Sequence, residues 1–189
     1  IFALATVFMW STIPTAIKLG VGRMDQFQLL TGAAFTSVMV LFVAILIQGK
    51  SRLLFSITRK QLLRTTGLGL LNPYIYYLIL FRAYSMLPGQ VAQPLNMIWP
   101  LLLVIISIPV LKQRIGMKSI VALLISFSGV VLISLQGGDL MREGSNISGV
   151  LLAIISAVIW AIYWVLNMKS DLDDVLNLFF IFLFSSCYL

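Results

Sequence analysis

Residues 66–111 read TGLGLLNPYIYYLILFRAYSMLPGQVAQPLNMIWPLLLVIISIPVL. The segment holds two mainly apolar stretches, each close to the roughly 20 residues that an α-helix needs to cross a bilayer. Only the dipeptide Leu87-Pro88 separates them, and neither stretch contains an acidic residue. The segment therefore predicts two membrane-spanning helices that are joined by a very tight turn.

The composition of the whole chain extends this prediction. Of its 189 residues, 60% are hydrophobic and 10% are charged, whereas soluble domains have about 45–50% and about 25%. A soluble fold of this length has too little interior for so much apolar surface. This excludes a soluble enzyme, a nucleic-acid-binding domain and a disordered segment. The single cysteine, Cys187, allows no internal disulfide. We predict an all-α integral membrane protein.

Seven apolar segments have the length, or nearly the length, of a membrane span. We number them as spans one to seven, and they lie at 1–18, 26–48, 66–86, 89–111, 117–136, 147–168 and 175–189. The chain begins inside an apolar run without a Met, and its last apolar run has no polar flank. We therefore expect the natural protein to continue beyond this sequence.

The distribution of basic residues indicates the orientation. If the N-terminus is cytoplasmic, the connectors after spans two, four and six face the cytoplasm and hold nine Lys and Arg residues, against four on the opposite side. Such an excess is typical of cytoplasmic loops. We expect a multi-pass protein of the cytoplasmic (inner) membrane with a cytoplasmic N-terminus. The net charge of +7 then requires no nucleic-acid partner.

Polar side chains inside a span avoid lipid, because an unpaired polar group in hydrocarbon is costly. At 100° per residue, Gln93 and Asn96 lie on one face of span four with Pro100, and Asn72 and Tyr76 share a face of span three. Two interpretations stay open. The amides line a transport cavity, or they bridge neighbouring helices. Prolines in the same spans free backbone carbonyls, which favours the cavity.

Large aromatic residues near the middle of predicted spans are a second signal. Trp10 and Trp160 lie far from the membrane interface where Trp is usually enriched. They either form opposite walls of a central pocket or pack in the core. The predicted cavity residues are Trp10, Asn72, Tyr76, Gln93, Asn96, Trp99, Trp160 and Tyr163. The predicted helix breaks are at Pro14, Pro73, Pro94 and Pro100.

Charged residues give less information about a site. Lys18, near the end of span one, extends its ammonium group to the interface, meets a substrate carboxylate, or closes an outer gate. All six acidic residues fall in connectors, which disfavours a proton antiporter that relies on a buried carboxylate. The sequence contains no metal-binding, nucleotide-binding or hydrolase motif. We therefore predict no catalytic residue, no metal and no cofactor.

An ordered set of features resembles a known family. The features are Trp10-Ser11 and Lys18 in span one, Gly69 and Ala83-Tyr84-Ser85 in span three, Pro100 in span four, Lys112 and Arg114 after it, and Gly129-Val130-Val131 in span five. Together they resemble the EamA family of the drug/metabolite transporter superfamily over essentially the whole chain. The chain departs from the family at Gln113, where members often have Glu, and at Leu29 to Gly32, where they often have Arg.

The resemblance implies ten helices in two inverted five-helix repeats. Residues 1–140 would form the first repeat, and residues 141–189 would begin the second. An odd number of crossings makes a tandem copy enter the membrane from the other side, which agrees with an inverted repeat. A shift of 150 residues then pairs Trp10 with Trp160.

The resemblance also implies a function. We expect a secondary transporter that moves a small metabolite, such as an amino acid, by export or exchange through alternating access. We expect a monomer or a homodimer in the lipid bilayer. An intramembrane lipid-modifying enzyme is an alternative, but it needs an acid, base or nucleophile at membrane depth. A non-transporting scaffold or sensor subunit is another, but it has no need of polar stripes inside its helices.

Overall fold

The chain folds into helices in a computed structural model that describes residues 2–112, 115–136 and 146–189. Within these residues there is no β-strand. The α-helices are α1 (Phe2–Val21), α2 (Gln26–Ile47), α3 (Arg59–Gly69), α4 (Tyr76–Met86), α5 (Gly89–Asn96), α6 (Trp99–Leu111), α7 (Met117–Gln136), α8 (Ile147–Asn167) and α9 (Asp174–Ser186), and a short 3-10 helix covers Ser51–Phe55.

Four helical segments are long and apolar enough to cross a membrane, namely Leu4–Val21, Gln26–Ile47, Gly89–Leu111 and Ile147–Asn167. These segments confirm an all-helical, multi-pass membrane protein. The count of seven spans and the two-repeat architecture stay predictions. Gln113, Arg114 and the predicted repeat boundary at 140–141 lie outside the described residues.

The third predicted span consists of two helices. It begins earlier than predicted, at Arg59, because Thr58 and Gln61 form a reciprocal capping box at the start of α3. A widened turn over 70–75 separates α3 from α4, and Asn72 has extended backbone angles there (φ −147°, ψ 125°). Proline lacks an N–H and disfavours helical angles at the residue before it. Pro73 therefore breaks this span, as predicted.

The fourth predicted span is also divided, between α5 and α6. Its break lies at Met97 and Ile98. The ring of Pro100 conflicts with the carbonyl group four residues earlier, so the helix ends one turn before that proline. Pro94 lies within the continuous helix α5 and Pro14 within the continuous helix α1. The predicted breaks at these two prolines are not observed.

Helix α8 lies at the centre of the bundle and packs against α4, α5 and α6. Small residues recur at every fourth position of α8, at Gly149, Ala153, Ala157 and Ala161, and all four are buried. Such a stripe lets helix backbones approach closely. A Cβ atom added to Gly149 would lie 2.8 Å from Leu87 Cγ, so the end of α4 leaves no room for a larger residue there.

Polar contacts join segments that the predicted topology places on the same side of the membrane. Lys18 Nζ, after the first crossing, donates to the carbonyls of Tyr84 (2.6 Å) and Leu87 (3.0 Å), after the third. Lys50, after the second crossing, forms an ion pair of 2.6 Å with Asp173, after the sixth. These contacts agree with helices that alternate in direction.

The ion pair gives a prediction for acid stability. The hydrogen bond from Lys50 holds the pKa of the Asp173 carboxyl below its ordinary value of 3.8. The carboxylate therefore stabilises the fold above pH 3.8, and this stabilisation is lost as the pH falls through the lowered pKa. Both side chains are about one-third exposed (30% and 31%), so we expect about 0.5–1 kcal/mol.

Thermal unfolding at pH 7 and pH 3 tests this prediction. Asp173→Asn keeps a capping side chain at the start of α9 but removes the charge. The variant should be less stable than the wild type at pH 7, and the difference should be smaller at pH 3. Asp25→Asn is the matched control, because Asp25 caps α2 and forms no ion pair among the described residues. Equal losses in both variants at pH 7 would contradict the prediction.

Candidate functional site

A cavity of about 260 Å³ lies between α1 and α8, with α4, α5 and the start of α6 forming its other walls. We call it the tryptophan pocket. Its lining residues are Trp10, Ile13, Ile17, Tyr76, Tyr77, Leu80, Gln93, Asn96, Met97, Trp99, Trp160 and Trp164. Both broken spans contribute, because Tyr76 opens α4 after the widened turn and Met97 lies in the break between α5 and α6.

Tryptophan is concentrated in this cavity. The chain has four Trp residues, and all four line the pocket. The ring of Trp99 lies edge-on to Trp10 and to Trp160, with centroid distances of 6.3 Å and 6.4 Å and interplanar angles of 73° and 77°. Trp usually gathers at membrane interfaces, so its convergence on one cavity near the middle of α1 and α8 indicates a local requirement for aromatic surface.

Asn96 connects three helices across the pocket wall. The Tyr76 hydroxyl donates to Asn96 Oδ1 (3.2 Å), and Asn96 Nδ2 donates to Ser156 Oγ (2.9 Å). Ser156 in turn donates to the Ala153 carbonyl (2.7 Å). Asn96 is only 3% exposed. It therefore combines the two interpretations left open by the sequence, since it both lines the cavity and bridges α4, α5 and α8.

Gln93 lies one turn earlier on α5, and its side chain makes fewer hydrogen bonds than that of Asn96. Its Oε1 accepts a hydrogen bond from the Tyr84 hydroxyl, and its Nε2 group donates to no residue that the structure describes. The Tyr84 carbonyl accepts from Lys18. A chain of contacts thus runs from the end of α1 through α4 to Gln93.

One donor in the wall lacks a partner. The indole Nε1 of Trp164 is buried and has no hydrogen-bond acceptor among the described residues. A buried unsatisfied donor costs about 1–3 kcal/mol. Because this nitrogen has no exposed surface, it does not face the cavity, and Trp164 lines the cavity with other atoms of its ring.

The pocket carries no formal charge. None of its lining residues in the described chain is Asp, Glu, Lys or Arg. Within the same part of the chain, no three His, Cys, Asp or Glu side chains gather as a metal site would require. The described wall offers aromatic rings and side-chain amide groups.

The structure places six of the eight predicted cavity residues in the pocket: Trp10, Tyr76, Gln93, Asn96, Trp99 and Trp160. The exceptions are Asn72 and Tyr163. Tyr163 contacts the Trp160 ring, with 5.8 Å between centroids, but it packs with Leu68 and Ile181 and does not line the cavity. Asn72 is buried in the widened turn beside Tyr163, and its Oδ1 has no partner among the described residues.

The sequence analysis missed several wall residues, including Tyr77, Met97 and Trp164. Trp164 follows Trp160 by four residues, which places it on the same face of α8 one turn later. This spacing was the available signal. Met97 carries no such signal, because it reaches the pocket only through the break between α5 and α6.

Most of the chain is similar to a family of membrane transporters. Residues 1–135 match the EamA-like transporter family. The chain belongs to this family. An uncharacterized transporter of Archaeoglobus fulgidus is 30% identical over 158 residues, which are 84% of this chain and 53% of that protein. The EamA-family chain thus spans about half the length of this relative. No solved structure matches it.

The family match and the pocket overlap only in part. The EamA match includes α1 to α6 and nearly all of α7, and therefore Trp10, Asn96 and Trp99. It ends before α8, which supplies Trp160 and Trp164. The pocket of this EamA-family chain is thus built jointly by the matched region and by the helix that follows it.

Proposed function

We propose that this EamA-family protein is a secondary transporter that carries a small metabolite across the cytoplasmic membrane by export or exchange. The observation that carries the proposal is the tryptophan pocket, a cavity near the middle of long apolar helices that is lined with aromatic and amide groups. Transporter sites commonly lie near the bilayer midplane beside discontinuous helices. Two broken spans border this pocket.

Alternating access follows from the proposed inverted repeats, of which residues 1–140 form the first and residues 141–189 begin the second. Corresponding helices of such repeats lie on opposite sides of a central site. Trp10 on α1 and Trp160 on α8 contact Trp99 with nearly the same distance and angle, which supports the pairing of these two helices. Rocking of one repeat against the other would expose the pocket to one side of the membrane at a time.

Lys18 serves as a gate in this proposal. Its ammonium group ties the end of α1 to the carbonyls of Tyr84 and Leu87 at the end of α4. With a cytoplasmic N-terminus, which the excess of basic residues supports, this contact lies on the outer side. It would hold the outer end of the pocket closed until α1 and α4 separate.

Gln93→Leu tests whether the pocket carries the solute. Loss of an amide hydrogen bond to the solute costs about 1–1.5 kcal/mol, so solute exchange should fall about tenfold. The measurement is exchange of a panel of labelled amino acids, nucleobases and sugars in liposomes that contain the full-length protein. The amino acids represent the class that the family resemblance implies.

Gln90→Leu is the matched control. Gln90 lies on the same helix, three residues before Gln93, and is exposed. It should exchange solute at the wild-type rate. If the wild type and both variants exchange solute at the same rate, the pocket does not lie on the transport path. A wild-type protein that moves no solute of the panel, while it remains folded, would instead support a scaffold or sensor subunit.

A further inference from the structure

We propose that the connector between α2 and α3 binds the headgroup of an anionic phospholipid at the membrane surface. Three residues carry the proposal, namely Arg52 and Phe55 on the 3-10 helix and Arg59 at the start of α3. We call them the headgroup residues. The inference goes beyond the proposed transport function and does not depend on it, because these residues lie outside the tryptophan pocket. In the proposed topology the connector follows the second crossing, so the lipid belongs to the inner leaflet.

The connector stays close to the end of a membrane-spanning helix. The apolar helix α2 ends at Ile47, and the 3-10 helix begins at Ser51. Gly49 turns the chain with a φ of +66°, and the Lys50 N–H donates to the Ile45 carbonyl (3.0 Å). The few residues between the two helices reach about 10 Å at most. The 3-10 helix is therefore within reach of the headgroup layer.

The 3-10 helix has an inward and an outward side. Residues three apart lie on the same side of such a helix. Leu54, together with Ile57 after the helix, packs against the apolar cluster of α2 and α9. Arg52 and Phe55 share another side and are exposed, and Phe55 is 91% exposed. The contact of Leu54 fixes the helix on the bundle, so a cationic and an aromatic side chain project from it together.

Positive charge is concentrated in this part of the chain. Residues 49–64 contain five Lys and Arg residues and no Asp or Glu. Three of the five lie against residues 166–173, namely Lys50, Lys60 and Arg64. Arg52 and Arg59 are exposed and form no ion pair with any residue that the structure describes. These two guanidinium groups are therefore available to an anion from outside the bundle.

The position of Arg59 adds to the need for an anion. Arg59 is the first residue of α3, and the first turn of this helix has no acidic residue. The N-terminal end of a helix carries a partial positive charge, so a cation there is unfavourable unless an anion lies nearby. A lipid phosphate would supply that negative charge. A guanidinium group binds a phosphate through two parallel hydrogen bonds.

A phospholipid fits both the charge and the apolar ring of this surface. Clusters of Lys and Arg directly after a membrane-spanning helix attract anionic lipids. An aromatic side chain beside them enters the boundary between headgroups and acyl chains. A free phosphate ion would use the arginines but leave the Phe55 ring in water. The combination of Arg52 and Phe55 on one side of the 3-10 helix therefore favours a lipid.

Lipid binding to the full-length protein in detergent tests the inference. The protein is titrated with phosphatidylglycerol or with phosphatidylcholine, and bound lipids are counted by native mass spectrometry. Phosphatidylglycerol should bind at least tenfold more tightly than phosphatidylcholine. A basic side chain near an anionic surface contributes about fivefold to binding. The double variant Arg52→Gln, Arg59→Gln should therefore bind phosphatidylglycerol at least tenfold more weakly than the wild type.

Arg23→Gln with Arg82→Gln is the matched control. It removes the same charge from two exposed residues that the predicted topology places on the opposite side of the membrane. Its affinity for phosphatidylglycerol should equal that of the wild type. Equal losses in the two double variants would indicate a general effect of net charge and would overturn the inference. So would a wild type that does not distinguish the two lipids.

The depth of the residue at position 55 distinguishes a lipid from a protein partner. The native cysteines of the full-length protein are replaced by serine, and Phe55→Cys carries a nitroxide label in liposomes that contain phosphatidylglycerol. Oxygen, which concentrates in the bilayer, should relax the label more strongly than a water-soluble nickel chelate. A label that is more accessible to nickel lies in water. A label that is shielded from both is covered by protein, and either result would overturn the inference.

Discussion

Trp160→Ala is expected to reduce solute exchange by about two orders of magnitude and to destabilise the protein. The Trp160 ring is the hub of the aromatic wall, with centroid distances of 4.5 Å to Tyr76, 6.4 Å to Trp99, 5.8 Å to Tyr163 and 6.1 Å to Trp164. Truncation of a large aromatic residue leaves a cavity and removes several ring contacts. We expect a loss of about 2–4 kcal/mol in the free energy of unfolding.

Exchange in proteoliposomes and thermal unfolding in detergent measure these two effects. Trp160→Phe retains a ring and should preserve most of the stability with a smaller loss of exchange. Phe35→Ala, an exposed aromatic truncation on α2, should leave exchange unchanged. If Trp160→Ala destabilises the protein but exchanges solute at the wild-type rate, Trp160 is a packing residue and the pocket does not carry the solute.

Gly69→Ala is expected to destabilise the contact between α3 and α9. A Cβ atom at Gly69 would lie 2.5 Å from the Ile181 carbonyl oxygen and 3.2 Å from the Ser185 nitrogen. Both atoms belong to the α9 backbone, so no side-chain movement can relieve the overlap. Insertion of an atom into a packed contact of this kind costs about 1–3 kcal/mol. The loss should appear as a lower unfolding temperature and a lower yield of folded protein.

Gly67→Ala is the matched control for this prediction. It lies two residues earlier on the same helix, and a Cβ atom there would meet nothing within 4 Å. Alanine favours a helix over glycine by about 0.8–1 kcal/mol, so this variant should be as stable as the wild type or slightly more stable. If both variants are equally destabilised, α3 and α9 do not approach each other as closely as the structure shows.

The sequence alone predicted much of the fold. Apolar content and proline chemistry are local properties, and they gave the all-α membrane class and the breaks associated with Pro73 and Pro100. The breaks expected at Pro14 and Pro94 are not observed, because a proline weakens a helix without always ending it. The start of α3 at Arg59 lay outside the apolar pattern, since a capping box extends the helix into polar sequence.

The pocket was less predictable from the sequence. Angular spacing brought Gln93 and Asn96 together correctly, because both lie on α5 before its break. The same reasoning placed Tyr163 with Trp160, and the two rings are in contact, but Tyr163 packs with Leu68 and Ile181 outside the cavity. A helical projection gives the face of a residue but not the neighbouring helix that this face meets. The role of each wall residue stays a prediction.

The small-residue stripe of α8 shows the same limit. Gly149, Ala153 and Ala157 are spaced by four residues, which permits close packing but does not name the partner. Only the tertiary structure shows that the end of α4 fills the space beside Gly149. The convergence of all four tryptophans likewise depends on contacts between helices that are distant in the sequence.

Protection of a pocket cysteine by a transported solute tests the central claim most directly. The native cysteines of the full-length protein, Cys187 among them, are replaced by serine, and Met97→Cys places a thiol in the pocket wall. Ser56→Cys, at an exposed position in the connector between α2 and α3, is the control. A saturating concentration of a solute that the protein exchanges should slow labelling of the thiol at position 97 by a maleimide at least tenfold and leave labelling at position 56 unchanged. Unprotected labelling at position 97, in a protein that still exchanges that solute, would contradict the tryptophan pocket as the transport site.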